Sequence, residues 1–145
     1  MSENGKKSFR IITLCGSTSF MNEFLVAAQS LSFNGYIVLM PHVFAHSIGM
    51  KLSEKRKSKF MRLHKQRIDM SDAIMVINKD GYIGESTKEE IEYAKAKGKK
   101  VYYRYIECKN DCIYGKNCNV QKTMPPFEKK FSSRYPICQC YRKKE

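Results

Sequence analysis

Four short apolar runs recur along this chain: FRIITLC (9–15), YIVLM (36–40), AIMVIN (73–78) and KVYYRYI (100–106). Each is rich in β-branched or aromatic residues, and the first three end at a Gly, Pro or Asn signal, so each reads as a buried strand. No other feature limits the fold as much. A strand without a polar face must be covered on both sides, and helices joining parallel strands provide that cover. The alternation predicts an α/β domain: a Rossmann-like parallel sheet of four to five strands with helices on both faces.

The connecting segments fit. FMNEFLVAAQSLSFNG (20–35) places apolar residues at helical spacing, and Asn34-Gly35 closes it. KLSEKRKSKFMRLHKQRIDMSD (51–72) predicts a long helix with Ser53 as N-cap and Phe60, Leu63, Arg67 and Met70 on one face. A third helix is expected from about Thr87 to Lys97, with Ser86 or Thr87 capping it, Glu89 or Glu90 closing a capping box, and Gly98 ending it. After Glu107 the pattern stops, and no regular structure is predicted. The chain thus divides into an α/β domain (1–107) and an irregular, basic, cysteine-rich tail (108–145).

In an open parallel sheet, ligands bind beyond the carboxyl ends of the strands. That rule puts 16–19, 41–50 and 78–86 on one rim. Gly16-Ser17-Thr18 turns from a strand into a helix, and its backbone N–H groups suit a phosphate or a sugar hydroxyl; an ordinary strand–helix turn would look the same. Glu90, near the amino end of the third helix, points toward that rim. An acidic first turn also suits the helix dipole, so the carboxylate serves either chemistry or helix initiation.

GSTSF (16–20), SDAIMVIN (71–78) and GYIGESTKEEIEYAKAKGKKV (81–101) resemble the nucleoside 2-deoxyribosyltransferase family, whose superfamily includes deoxyribonucleotide N-glycosidases. The resemblance covers roughly residues 9–106. It implies that Glu90 is a nucleophile at the anomeric carbon of a ribose or deoxyribose. A covalent glycosyl ester would form and pass to water or a second base. It also implies that the turn after the first strand holds the sugar and that Ser86 holds the 5′ end. The rim candidates for contacting substrate are Cys15, Gly16, Ser17, Thr18, Phe44, Asp72, Gly84 and Ser86. The family places an assisting aspartate eight residues before Asp72. Here that position is His64, and Asp69 is the nearest acid. Either could move the proton, His64 as an imidazole titrating near neutrality. A structural histidine remains the alternative. His42 and His46 flank Phe44, whose ring could stack on a base.

Net charge is +13, with eight basic residues and one acid within 51–67. Such a patch suits a phosphorylated substrate, nucleic acid, or simply a solvated face. The second functional class is therefore a non-catalytic nucleotide- or nucleic-acid-binding module built on that helix and the tail. Of six cysteines, Cys108, Cys112, Cys118, Cys138 and Cys140 lie in the tail. They could hold zinc, remain thiols or form disulfides; the spacing lacks a CxxC pair. No cofactor is otherwise expected. No apolar run is long enough to span a membrane, and MSENGKKSFR lacks a signal-peptide core, so a cytoplasmic location is expected. The resemblance further implies a homo-oligomer. The enzymatic reading requires the Glu90 carboxylate to face a cavity, neither ion-paired nor turned to bulk solvent.

Overall fold

The computed structural model describes residues 8–109, 125–139, 141 and 143. Cys112, Cys118 and Cys140 lie outside these residues. The described elements are β1 (Ile11–Gly16), α1 (Met21–Phe33), β2 (Ile37–Leu39), α2 (Glu54–Asp69), β3 (Ala73–Ile77), a 3-10 turn (Lys79–Gly81), α3 (Glu85–Ala96), β4 (Lys100–Tyr103), β5 (Tyr105–Glu107) and β6 (Glu128–Lys130). The first four strands form one parallel sheet in the order β2-β1-β3-β4.

Strand alternation assigns the two faces. Ile12 and Leu14 of β1, with Met75 and Ile77 of β3, pack against Phe24, Ala27 and Leu31 of α1. Cys15, Ile74 and Val76 point the other way, against Ile68 of α2 and Ile91 and Ala94 of α3. The sheet is therefore sandwiched between helices, as the apolar runs require. Ile12, Leu14, Ile74, Met75 and Ile77 are fully buried, and each contributes roughly 1.5–3 kcal/mol. The order reverses direction at β1, so β1 and β3 border the crevice where such sheets bind ligands.

Ser53 caps α2 as expected, accepting from Arg56 N at 3.2 Å. The inward face of α2 differs from the predicted one. His64 and Ile68 are buried, while Leu63 and Met70 are exposed. In so basic a helix few apolar residues are available, and an imidazole takes a core position. α3 starts earlier than predicted: Gly84 is its N-cap and no side chain caps it. Ser86 and Thr87 lie inside the first turn, so the expected capping box does not form.

The fourth predicted strand is divided. Tyr103 ends β4 against Val76. Asn78, fully buried, then takes over from the ladder. Its Nδ2 donates to Tyr105 O at 3.1 Å, and its Oδ1 accepts from Tyr105 N at 3.0 Å. The chain is turned into β5, which pairs in parallel with β6 from the tail. Arg104 adds a bond to Pro126 O at 3.3 Å and an ion pair with Glu128 at 3.6 Å. Phe127 joins the same core cluster as Ile12 and Met75.

Candidate functional site

Beyond the carboxyl ends of β1 and β3 lies a cleft of about 970 Å³. Its walls come from the turn after β1, the loop 41–52, α2 from Lys57 to Arg67, and the start of α3. Gly16 is required where the floor begins. A Cβ there would meet Ile77 O at 3.0 Å and Ile77 Cβ at 3.1 Å. The absence of a side chain lets the backbone of β1 lie against the end of β3.

The turn and the second loop are tied together. Thr18 Oγ1 bonds His46 Nδ1 at 2.8 Å, and Ser47 Oγ donates to Thr18 O at 2.7 Å. Ser17 Oγ bonds Ser19 Oγ at 2.8 Å. Gly84 to Thr87 line the opposite wall, so the uncapped amino end of α3 borders the cleft and favours negative charge there.

Glu90 and His64 line the cleft side by side. Glu90 stands beside the buried stripe Thr87–Ile91–Ala94 of α3, and its side chain is 14% exposed. His64 Nε2 lies 3.7 Å from Glu90 Oε1 and 3.3 Å from the Cys15 Sγ atom. Burial pushes the Glu90 carboxyl up to about 7, with the Cys15 thiol offsetting part of the effect. Burial pulls the His64 imidazole down to about 4, and the neighbouring Arg67 charge adds to it. Burial, then the Glu90 charge, pushes the Cys15 thiol well above its ordinary value. The 3.7 Å contact is thus at ion-pair distance but carries no imidazolium near neutral pH. His64 does not titrate near neutrality as expected from its unperturbed value. Glu90 Oε1 and His64 Nδ1 are buried without a hydrogen-bond partner among the described residues.

The other predicted residues are distributed as follows. Gly16, Ser17, Thr18, Gly84 and Ser86 line the cleft with Glu90 and His64. Cys15 is fully buried behind the floor. Phe44 is in the core, its ring edge-on to Phe24 at 5.2 Å, so it presents no face to a ligand. The aromatic rings on the cleft wall are Phe60 and Tyr82 instead. Asp69 is at the far end of α2, where it accepts from Tyr93 Oη at 2.8 Å. Asp72 is at the amino edge of the sheet and accepts from Ile11 N at 2.8 Å. Both acids are brought to structural contacts away from the lining residues. Cys108 is buried and Cys138 packs against the main core.

A family model described as a domain of unknown function, DUF4406, matches residues 13–103. The chain belongs to the DUF4406 family. No curated protein matches the chain. The DUF4406 segment contains every residue named above on the cleft, and β6 and Phe127 fall outside it.

Of the other lining residues, Lys51, Lys57 and Arg67 belong to the basic stretch that suits a phosphorylated substrate, Phe60 is expected on a helix face without a site role, and Tyr82 is not singled out by the sequence. A signal existed for most of them. Positions 57, 60, 64 and 67 recur at helical spacing, so once one is placed inward the rest follow.

Proposed function

We propose that this DUF4406 protein cleaves or transfers at the N-glycosidic bond of a nucleoside or nucleotide, with Glu90 as the nucleophile. The observation that carries the reading is the Glu90 carboxyl at the floor of the cleft, with Oε1 lacking a partner. A carboxylate with one oxygen free in a low-dielectric site suits attack on an electron-poor carbon such as C1′. The resemblance to nucleoside 2-deoxyribosyltransferases supplies the substrate class, and the position of Glu90 agrees with it.

In this reading the carboxylate attacks C1′ as the bond to the base breaks, giving a glycosyl ester. Water or a second base then attacks the same carbon and frees Glu90. His64, held neutral, positions the carboxylate. The leaving base takes its proton from the cleft wall, where His42 and His46 stand. Lys51, Lys57 and Arg67 make the cleft basic and favour a phosphorylated substrate. α1 exposes Leu25, Val26 and Phe33, apolar surface that a second copy of the chain would cover.

The test is incubation with deoxynucleosides, ribonucleosides and their 5′-monophosphates, read as free base by chromatography. Release by the wild type and none by Glu90→Gln supports the reading. Release that survives Glu90→Gln removes Glu90 from the chemistry.

A second reading follows from α2, whose Lys55, Arg56, Lys57, Lys59 and Arg62 are all exposed. They suit binding to a nucleic-acid backbone. Tight, strongly salt-dependent binding to DNA or RNA, with no base released from any substrate, would favour it. No helix among the described residues is long and apolar enough to cross a membrane.

A further inference from the structure

The buried cluster behind the cleft has a donor set that the glycosidic reading does not need. One thiol, one imidazole and one carboxylate converge from three elements: Cys15 from β1, His64 from α2 and Glu90 from α3. Their ligating atoms all lie within 4.8 Å of one another. The measured edges are 3.3 Å from sulfur to nitrogen and 3.7 Å from nitrogen to oxygen. A tetrahedral zinc ion, with ordinary bonds to sulfur, nitrogen and oxygen, sets such pairs roughly 3.3–3.6 Å apart. Two of the three edges thus already match one face of a zinc tetrahedron, and the third, from sulfur to carboxylate oxygen, is no longer than 4.8 Å. Glu90 Oε1 is unpartnered there, and the Cys15 thiol that hydrogen-bonds the carboxyl would itself become a ligand.

We propose that Cys15, His64 and Glu90 form a binding site for zinc or a similar thiophilic divalent cation, and that occupation switches the cleft off by engaging Glu90. The switching half rests on Glu90 being the nucleophile; the binding half does not.

Ligand chemistry selects the metal class. A sulfur and an imidazole donor favour zinc or cobalt over magnesium or calcium, which prefer oxygen. The metal itself removes the thiol proton on coordination. Glu90 and His64 both line the cleft while Cys15 lies behind it, so the fourth position opens to the cleft and is left to water. Two features make the site exchangeable. It opens to solvent through the cleft, and His64 Nδ1 has no partner among the described residues to orient the ring. Ligating histidines are usually fixed by such a partner, and losing one lowers affinity roughly 10–100-fold. A site of that kind responds to free metal and does not hold the fold together.

The full chain, stripped of metal with a chelator and kept reduced, is titrated with Co²⁺ alone and then with Zn²⁺. The expected result is a thiolate-to-cobalt absorption band that Zn²⁺ displaces. One equivalent of that signal should be lost in Cys15→Ser. Glu90→Gln, which keeps the side-chain shape, and His64→Asn should each weaken cobalt binding by at least about tenfold. Circular dichroism identifies any variant that fails to fold, and the remaining ones then decide. Identical titrations for wild type and the folded variants would assign the metal to tail thiols and overturn the site. So would the absence of a thiolate band in the wild type.

These titrations contain no nucleoside, so their failure leaves the glycosidic reading intact. In a separate arm, saturating Zn²⁺ should suppress base release and chelator should restore it. Metal bound at the cluster with base release unchanged would overturn the switching half.

Discussion

Glu90 Oε1 and His64 Nε2 face each other across 3.7 Å, one from α3 and one from α2, and burial acts on them in opposite directions. The carboxyl is pushed toward its neutral form and so is the imidazole. The pair is therefore a contact between two groups that both resist charging, although each could carry a charge in water.

This opposition predicts a flat region in the pH dependence of stability. Glu90 titrates at about 7 in the folded chain against an ordinary value of 4.5. Its contribution is complete below pH 4.5 and lost as pH rises through 7. His64 titrates at about 4 against an ordinary value of 6.5. Its contribution is complete above pH 6.5 and lost as pH falls through 4. Each is worth roughly 3 kcal/mol, and between pH 4.5 and 6.5 the two slopes cancel. With chelator present, Glu90→Gln should be progressively stabilised from pH 4 to 6.5, and His64→Gln progressively destabilised from 4.5 to 7. Urea midpoints across this range check it; three parallel profiles would contradict it.

Base release should depend on the same carboxyl. If Glu90 must be ionised to attack, kcat/KM rises with pH through about 7 and levels above it. Glu90→Gln should lower kcat/KM by at least roughly 1,000-fold, with little change in KM. A rate that is flat from pH 5.5 to 8 would mean that another group makes the bond.

Gly16→Ala should destabilise the fold and distort the cleft floor together. The added Cβ meets Ile77 O at 3.0 Å and Phe24 Cζ at 3.3 Å, so β1 and β3 must part. The expected loss is about 1–3 kcal/mol in urea denaturation. An unchanged midpoint would show that the strands tolerate the shift.

Asn78→Ala should loosen the tail from the sheet. It leaves Tyr105 N–H and C=O without their partners, at about 1–3 kcal/mol per unsatisfied group. Hydrogen exchange should speed up first in β5 and β6, before β1 and β3. Uniform acceleration across all strands would argue that Asn78 acts on the whole core instead.

Much of the fold was legible because β1 and β3 are apolar on both faces, and only a helix-covered parallel sheet buries both. β6 was not legible. Its sequence is Glu-Lys-Lys, residues that strands usually avoid, and it pairs because Asn78 and Arg104 deliver β5 beside it. Phe44 read as a rim residue because its loop is on the rim; its ring instead turns inward to Phe24. Glu90 could be located from the sequence, since helix spacing ties it to Ala94. Its contact with Cys15 could not: the two are far apart in the chain, and register between three elements sets that distance. Asp69 and Asp72 show the converse. Both carry the right chemistry, yet α2 runs away from the rim, so they end where the strands begin.

Phe127 has a further consequence. It enters the core shared by Ile12, Met75 and Tyr102, although the family match stops at residue 103. A fragment trimmed to that match would lose an aromatic side chain from the core cluster that also holds Ile77, the residue that abuts Gly16 beneath the cleft. The unit that folds is therefore larger than the unit the family model recognises, and expression of the shorter piece should yield aggregates.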